Sequence, residues 1–219
     1  MSGMRLKKPT LLLMLGPPGA GKSFFARQIS EALPFGLVSG DRIRYELFEE
    51  PRYDADENNI VMRIMDYMTE ELLASGVSVI YDDIGLLDYQ ERLQRRNMAT
   101  KAKVNPLTIW VQTDLATAFS RASTRDRRRS DEKYSRSIDR ATFDKLATAL
   151  QPPQFREDYV VISGKYVFKS QATALIKKLR DLDLVEEQST TVPTQPTAPI
   201  IRPLSTPRRD IPTRRIRIR

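Results

Sequence analysis

The segment GPPGAGKS at residues 16–23 constrains this chain more than any other feature. It matches the pattern G-x-x-x-x-G-K-[ST], and it lies between the apolar run TLLLML (10–15) and a stretch with helical periodicity, as a phosphate-binding loop requires. Its glycines let the backbone turn tightly and direct N–H groups at phosphate oxygens, and the helix dipole adds to that field. The segment therefore predicts an α/β fold in which one loop binds phosphate; a chance glycine turn with a capping serine is the alternative.

Two side chains of the loop carry the expected charge chemistry. Lys22 would reach the β- and γ-phosphates of a nucleotide, and Ser23 would place its hydroxyl on Mg²⁺. Kinases, GTPases and motor ATPases all use this loop, so it does not name a reaction. A GTPase would also carry N-K-x-D, which the sequence lacks, and a remodelling ATPase would carry a catalytic Glu at a strand end where this chain has YDD (81–83). Both alternatives are therefore disfavoured.

The amino-acid composition narrows the chemistry further. The chain has no cysteine and no histidine, which excludes disulfides, thiolate metal sites and the commonest general base. Proton transfer would have to use Asp, Glu, Lys or Tyr. The N-terminal apolar run breaks into the glycine-rich loop, so it is interpreted as a buried strand rather than a signal peptide. No stretch approaches the roughly 18 apolar residues of a membrane span, and we expect a soluble, cytoplasmic protein.

Apolar runs alternate with helical stretches along the chain, which predicts a five-stranded, mainly parallel sheet covered by helices on both faces. The predicted strands are 10–15, 35–39, 77–82, 106–112 and 159–163. The predicted helices are 22–33, a segment after Asp41 interrupted at Pro51, 56–74, 89–103, a segment after Asp114, and 170–182. The folded domain is expected to span residues 1–185.

Residues 186–219 differ sharply from the rest in composition. Six of the fourteen prolines fall there, interleaved with Thr, Ser, Gln and Arg, which predicts a disordered tail. From Gln188 onward, seven arginines face one acidic residue, so this segment holds +6 of the total charge of +8 and leaves +2 for the preceding part. The basic character therefore belongs to the tail, for which nucleic acid or another acidic surface is a candidate partner.

A candidate catalytic base lies just beyond the strand 35–39, in the segment VSGDRIR (38–44). Open α/β sheets bind ligands at the carboxyl ends of their strands, so Asp41 is expected where an acceptor would meet the nucleotide. Asp41 would accept the proton of the acceptor hydroxyl, and Arg42 or Arg44 would hold an anionic acceptor. The alternative is that Asp41 caps the helix that follows, which is compatible with a functional role.

Two further acidic residues, Asp82 and Asp83, end the strand 77–82. An Asp at this position would hold the water shell of a Mg²⁺ ion next to Ser23. Asp82 is the first choice for this role and Asp83 is the second. Alternatively, one of the pair only caps the turn that follows.

The arginine-rich stretch FSRASTRDRRRSDEKYSR (119–136) follows the strand 106–112 and its helix. Arg121, Arg125 and Arg129 recur at helical spacing with Arg128 one position away, so at least three guanidinium groups would share one helix face. Such a cluster would close over a triphosphate and stabilise the charge in transfer. A solvated helix whose arginines pair with neighbouring acidic residues is the alternative.

Together these segments resemble the family of P-loop small kinases, which includes polynucleotide 5′-kinase domains, zeta-toxin-type kinases and AAA-type ATP-binding kinase-like proteins. The resemblance covers about residues 8–182 and rests on GPPGAGKS, VSGDRIR, VSVIYDDIGLLDYQERL and TDLATAFSRASTRDRRRSD. It implies the three-layer P-loop NTPase fold with a helical arginine lid, and it implies ATP and Mg²⁺ as the bound nucleotide and metal. The family often has a small polar residue where this chain has Asp83.

The resemblance also implies a role for individual residues. By the resemblance, Asp41 takes the position of the general base, Arg44 takes a substrate-anchoring position, and Arg121, Arg125 and Arg128 take lid positions. The catalytic residues are expected to be Asp41, Lys22 and Arg125. The loop SGKY (163–166) lies where the family holds adenine. The residues expected to contact the nucleotide are Gly16, Gly19, Ala20, Gly21, Lys22, Ser23, Phe24, Arg121 and Arg128, and those expected at the metal are Ser23 and Asp82.

The sequence thus predicts a phosphotransferase that moves the γ-phosphate of ATP to a hydroxyl of a small molecule or a nucleic acid. The alternative hypothesis is a nucleotide-gated binding module or NTPase whose basic tail docks on nucleic acid. The acceptor itself has no readable motif.

Overall fold

The computed structural model describes residues 5–125, 133–134 and 136–186. The strands are β1 (Arg5–Leu6), β2 (Thr10–Leu15), β3 (Phe35–Ser39), β4 (Ser78–Asp82), β5 (Asn105–Gln112), β6 (Tyr159–Ser163) and β7 (Val185–Glu186). The helices are α1 (Lys22–Ala32), α2 (Gly40–Leu47), α3 (Ala55–Ala74), α4 (Tyr89–Lys101), α5 (Leu115–Ser123), α6 (Arg140–Thr148) and α7 (Phe168–Asp181), and a short 3-10 helix spans Ile84–Leu87.

The main sheet has the strand order β3-β4-β2-β5-β6, and each neighbouring pair is parallel. This confirms the prediction of a five-stranded parallel sheet in an α/β fold. The central strand β2 is buried at all six positions, as the uniformly apolar run TLLLML requires for a strand covered on both faces. Because the strands are parallel, the segments that follow β2, β3 and β4 meet at one edge of the sheet.

Alternate residues of β2 face two separate cores. Leu12 and Met14 belong to the core that includes buried residues of α1 and α7. Leu11 and Leu13 belong to the core that includes buried residues of α3 and Ala99 of α4. The period-two alternation of a strand thus divides one apolar run between the two helical layers.

Four elements of the structure are absent from the sequence-based prediction, namely β1, β7, α6 and the 3-10 helix Ile84–Leu87. The two-residue strands β1 and β7 pair antiparallel in a small separate sheet, and they are too short to produce a periodic pattern. Helix α6 was not predicted because its fully buried contact with the core is limited to Phe143, which packs with α5 in a small cluster. A helix anchored so sparsely carries little apolar periodicity.

Helix α5 ends at Ser123, so the predicted arrangement of Arg121 and Arg125 on one helix face is wrong. The Thr124 hydroxyl donates a 2.8 Å hydrogen bond to the carbonyl oxygen of Ser120. Hydroxyl side chains that bond the backbone in this way compete with continuation of a helix. Arg125 therefore follows the helix rather than extending its arginine face.

Some predictions concern residues that the structure does not describe. Arg128 and Arg129 of the predicted lid, and the predicted disordered tail after Glu186, lie outside the described residues. The domain limits of 1–185 and 186–219 stay predictions. None of the described helices is both long enough and apolar enough to cross a membrane.

Candidate active site

The glycine-rich loop connects β2 to α1 and is held closely by its surroundings. Gly19 has φ 74, and a Cβ at this position would lie 2.0 Å from the carbonyl oxygen of Ala118 in α5. At Gly16, a Cβ would lie 2.5 Å from the carbonyl oxygen of Val111 in β5. Larger residues are therefore excluded by backbone contact, so these two glycines fix the path of the loop. Between them and the helix, Ala20 is fully buried.

Lys22 is the first residue of α1 and is 9% exposed. Its Nζ donates hydrogen bonds to the carbonyl oxygens of Gly16 at 2.7 Å and Pro17 at 3.1 Å. Burial lowers the pKa of Lys22 to about 8, whereas the nearby carboxylate of Asp82 acts in the opposite direction. The ammonium is thus held at the glycine-rich loop, where a lysine can reach the phosphates of a bound nucleotide.

Asp41 lies in the first turn of α2, one residue after Gly40. The N-cap of this helix is Ser39, so Asp41 does not take the capping position that was the alternative to a functional role. Burial raises the pKa of Asp41 to about 6, with the acidic groups of Asp82 and Asp83 adding to the rise and Arg125 opposing it. A carboxyl group with this pKa is suited to general-base chemistry near neutral pH.

Asp82 and Asp83 occupy different local structures. Asp82 is the last residue of β4 and is 5% exposed. Asp83 caps the 3-10 helix, because its Oδ1 accepts a 2.7 Å hydrogen bond from the N–H of Gly85, and burial raises its pKa. The capping role considered for one of the pair therefore belongs to Asp83. The metal role of Asp82 stays a prediction.

The carboxylates line a pocket together with residues of the loop. This carboxylate pocket is bounded by Asp41, Asp82 and Asp83, by Lys22 and Ser23, and by Tyr53, Ile84, Arg125 and Arg136 among others. Hydroxyl and carboxylate oxygens are the ligands that Mg²⁺ prefers, so Ser23 and Asp82 suit that ion. No group of three or more acidic residues in the described part of the chain forms a complete metal site. A Mg²⁺ ion here would depend on phosphate oxygens and water for its other ligands.

A second pocket lies on the other side of Lys22 and Ser23. This loop pocket is bounded by Gly19, Gly21, Phe24, Arg27, Arg121 and the segment Gly164–Tyr166, with Gln171. Phe24 and Tyr166 are exposed, and both are available to contact a planar ring. The predicted nucleotide contacts Gly19, Gly21, Phe24 and Arg121 are thus brought to one pocket.

The segment 163–166 is fixed against the glycine-rich loop. A Cβ at Gly164 would lie 1.9 Å from the carbonyl oxygen of Ala20. The same carbonyl accepts a 3.1 Å hydrogen bond from the Thr113 hydroxyl, and the carbonyl of Gly164 accepts a 3.0 Å hydrogen bond from Arg121 Nη1. The predicted adenine loop is therefore adjacent to the phosphate loop, as one nucleotide site requires.

Arg125 joins the two pockets. It lines both of them, and so do Lys22 and Ser23. Its Nη1 donates a 3.2 Å hydrogen bond to the carbonyl oxygen of Arg136. The charge of Arg125 also acts on both Lys22 and Asp41, since it contributes to lowering the pKa of each.

Arg44, predicted to anchor the substrate, is only 3% exposed. Its Nη1 pairs with Glu57, which is also buried, and its Nη2 donates a 2.8 Å hydrogen bond to Asn58 Oδ1. Because Arg44 is committed to these partners, it acts on the pocket through its contact with Tyr53, which lines it. This placement favours a structural role over the predicted contact with a substrate. The other candidate, Arg42, is exposed, with its guanidinium 5.8 Å from the ring of Tyr134.

Sequence reasoning missed Tyr53 and Arg136, which line the carboxylate pocket. Neither residue belongs to a motif. The sequence places them 12 and 95 positions after Asp41 without any shared periodicity. Only the positive charge density around 119–136 pointed toward Arg136.

Three solved structures illustrate the similarity of this fold to known proteins. The Chaetomium thermophilum Kti12 structure in complex with ADP-AlF3 has a TM-score of 0.61 and 18% identity, covering 81% of this chain and 100% of that chain. The Mycobacterium tuberculosis APS kinase in complex with AMPPNP and APS has a TM-score of 0.57 and 16% identity, covering 79% and 98%. A gluconokinase from Sinorhizobium meliloti has a TM-score of 0.58 and 16% identity, covering 80% and 93%.

No curated protein sequence matches this chain significantly. A family model described as an AAA domain matches residues 11–153, which span the strands β2 to β5, the glycine-rich loop and the candidate acidic residues. The match covers well over half of the chain, and the four motifs on which the resemblance rests fall within it. The chain therefore belongs to the AAA domain family and has the P-loop kinase-like fold that its sequence predicts.

Proposed function

We propose that the protein is an ATP- and Mg²⁺-dependent phosphotransferase that moves the γ-phosphate of ATP to a hydroxyl group. The observation that carries this proposal is that Lys22, Ser23 and Arg125 line both the loop pocket and the carboxylate pocket. A nucleotide in the loop pocket would direct its terminal phosphate at this shared boundary. An acceptor in the carboxylate pocket would then meet that phosphate beside Asp41.

The transfer step assigns one task to each residue at the boundary. The carboxylate of Asp41 takes the proton of the acceptor hydroxyl as the new O–P bond forms, the bond from the γ-phosphorus to its bridging oxygen breaks, and ADP leaves. Lys22 and Arg125 stabilise the charge on the transferred group. Mg²⁺, held by Ser23 and Asp82, would neutralise the phosphate charge when bound.

Two further observations support a nucleotide in the loop pocket. The segment 163–166 adjoins the glycine-rich loop, with Arg121 bonded to Gly164 at its edge. Among similar structures, the APS kinase binds AMPPNP and the Kti12 protein binds ADP-AlF3. The APS kinase and the gluconokinase are kinases of small molecules, and we extend that chemistry to this chain as part of the proposal.

Transfer from γ-labelled ATP to a panel of nucleosides, oligonucleotide 5′-ends, sugars and sugar acids tests the proposal. Asp41→Asn should lower kcat by about 10²- to 10⁴-fold, because a positioned general base contributes that much, while ATP affinity stays within a few-fold. Asp144→Asn is a matched control, since Asp144 is an exposed residue of α6 that pairs with Arg140 and lines neither pocket. ATP affinity that falls together with transfer in Asp41→Asn would contradict the assignment of the base.

A further inference from the structure

The guanidinium of Arg136 is held in the carboxylate pocket by an aromatic ring. Its central carbon lies 3.7 Å from the centroid of the Tyr53 ring, a close cation–π contact. Arg136 is half-buried and lines the same pocket as Asp41. The pocket that contains the candidate base therefore also contains a positioned positive charge.

The ring of Tyr53, which contacts Arg136, is itself held in place by a second arginine. The guanidinium of buried Arg44 lies 4.5 Å from the Tyr53 centroid and is held by Glu57 and Asn58. Tyr53 has φ 62, a left-handed conformation that a non-glycine residue adopts only where the surroundings hold it. Arg136 is thus the outermost member of a rigid series, and its charge is pre-organised for a ligand.

Among the residues that the structure describes, no carboxylate forms an ion pair with Arg136. Several other arginines in the same part of the chain do have carboxylate partners. The pKa of Asp139 is lowered first by the 2.7 Å hydrogen bond from the N–H of Thr142 and also by the charge of Arg136, so this carboxylate is already committed to the cap of α6. By contrast, the charge of Arg44 is balanced by Glu57. A partly buried guanidinium gains most from an anion that it can bind with two hydrogen bonds.

The rest of this pocket limits the shape of what would bind there. Ile84, Ile138 and Leu146 supply apolar surface beside Asp41 and Arg136. A ligand that contacts both Asp41 and Arg136 would carry a hydroxyl for Asp41 and an anionic group for Arg136, joined by a short carbon skeleton. A neutral sugar would offer Arg136 no charge-assisted hydrogen bond, which is the strongest kind that a guanidinium forms.

We propose that Arg136 binds an anionic group of the phosphoryl acceptor, so that the acceptor is a small hydroxylated carboxylate or phosphate. This inference rests on the proposed function, because it identifies the substrate class of the same site. Tyr53 is a positioning residue that acts through Arg136. Carboxylates and phosphates share the charge and planar oxygen edge that a guanidinium recognises, and the experiment separates these two sources.

Transfer from ATP is measured with matched neutral and anionic acceptors: glycerol, glycerate and glycerol 3-phosphate; glucose, gluconate and glucose 6-phosphate; and an oligonucleotide with a free 5′-hydroxyl. The wild-type protein should prefer an anionic member of at least one series. Arg136→Gln should raise KM for that acceptor by about 10- to 100-fold with kcat changed much less, because a charge-assisted bond is lost in both ground and transition states.

Arg140→Gln provides the matched control, because Arg140 is an exposed arginine of α6 paired with Asp144 and does not line the pocket. Its KM values should match the wild type. Tyr53→Leu should give a smaller rise in KM than Arg136→Gln and leave the preference between carboxylate and phosphate unchanged. Equal use of neutral and anionic acceptors, transfer confined to the oligonucleotide, or an unchanged KM in Arg136→Gln would overturn the inference.

A binding measurement separates this inference from the proposed function. With a non-hydrolysable ATP analogue and Mg²⁺ at saturation, inorganic phosphate and acetate are titrated calorimetrically into the wild type, Arg136→Gln and Arg140→Gln. Anion binding that is lost only in Arg136→Gln supports the anion site even where no acceptor is phosphorylated, and in that case the proposed function alone fails. Equal anion affinity in all three proteins, or no binding to any, would overturn the anion site.

Discussion

The loop pocket and the carboxylate pocket differ in how the chain builds them. The phosphate-binding side of the loop pocket comes from one contiguous segment, 19–24, in a loop whose glycines lie against backbone carbonyls of β5 and α5. Arg121, Arg125 and the segment 164–166 are among the residues that complete this pocket. The carboxylate pocket shares Lys22, Ser23 and Arg125 with the loop pocket and collects most of its other residues from segments between Asp41 and Leu146 that no single element contains. A phosphate is recognised mainly by backbone geometry, which a short motif encodes, whereas an acceptor is recognised by side chains from several loops. This contrast predicts that substitutions outside the three shared residues, Lys22, Ser23 and Arg125, will affect the two pockets separately.

The largest effect is expected from breaking the loop pocket at Gly19. In Gly19→Ala the new methyl group would meet the Ala118 carbonyl at 2.0 Å, so the loop must move. We expect nucleotide affinity to fall by more than about 100-fold, because the N–H groups no longer converge on the phosphates. Titration of a fluorescent ATP analogue measures this change.

Gly76→Ala is a control for backbone strain at Gly19. Gly76 also has positive φ, at 83, but a Cβ there would meet nothing within 4 Å. Both substitutions place alanine in a left-handed conformation at a cost of about 1 kcal/mol in the free energy of unfolding. Nucleotide affinity should be unchanged in Gly76→Ala. A comparable loss of nucleotide affinity in both variants would show that backbone strain, rather than the contact with the Ala118 carbonyl, causes the loss in Gly19→Ala.

The next effect concerns the ionisation of Asp41 in the carboxylate pocket. As the proposed general base, Asp41 must be ionised to accept a proton, and its pKa is raised to about 6. Therefore kcat/KM should fall about tenfold for each pH unit below 6 and level off above it. Steady-state assays between pH 5 and 8 measure this acidic limb of the pH profile of kcat/KM.

Two substitutions should move this pH limb in opposite directions. Arg125→Gln removes a positive charge that lowers the pKa of Asp41, so the limb should move to higher pH. Asp83→Asn removes a carboxyl group that raises that pKa, so the limb should move to lower pH. Shifts in the same direction would show that a group other than Asp41 controls the limb.

The difference between the pockets also explains which features the sequence could predict. The apolar run of β2, the glycine pattern and the alternation of strands and helices are local properties, and they predicted the parallel sheet, the loop and the position of Asp41 at a strand end. Arg136 and Tyr53 meet only through the tertiary fold. Their contact has no periodicity, so no local pattern could have indicated it.

The arginines illustrate the same limit. Helical spacing predicted that Arg121 and Arg125 share a face, but the hydroxyl of Thr124 bonds back to Ser120 where α5 ends. The position of Arg44 beside Asp41 predicted a substrate contact, but Glu57 lies thirteen residues further along and captures its guanidinium. Charge and spacing alone do not reveal which arginines find a buried partner.

A moderate effect is expected from removing the support beneath the carboxylate pocket. Glu57→Gln leaves buried Arg44 without its counter-charge and weakens the position of Tyr53. Breaking one partner of a buried ion pair costs about 3–5 kcal/mol in the free energy of unfolding. In the folded protein we expect KM for the acceptor to rise several-fold with nucleotide affinity unchanged, since Glu57, Arg44 and Tyr53 do not line the loop pocket.

Chemical denaturation combined with assays below the unfolding transition separates these two consequences of Glu57→Gln. Asp144→Asn is the control, because its pair with Arg140 is exposed on both sides and should contribute less than about 1 kcal/mol. Weaker nucleotide binding in Glu57→Gln at a temperature where the protein is folded would show that the pockets are coupled.

The smallest effect on either pocket is expected from the basic tail. Removing residues 188–219 takes away +6 of the net charge but none of the residues that line the two pockets. Nucleotide affinity and phosphoryl transfer should therefore stay within about twofold of the full chain, a change comparable to that of a remote surface substitution. Binding of an unrelated oligonucleotide, measured across a salt series, should weaken and lose most of its salt dependence, because it depends on counterion release by these arginines. A large loss of transfer together with retained binding would place the tail in the acceptor site instead.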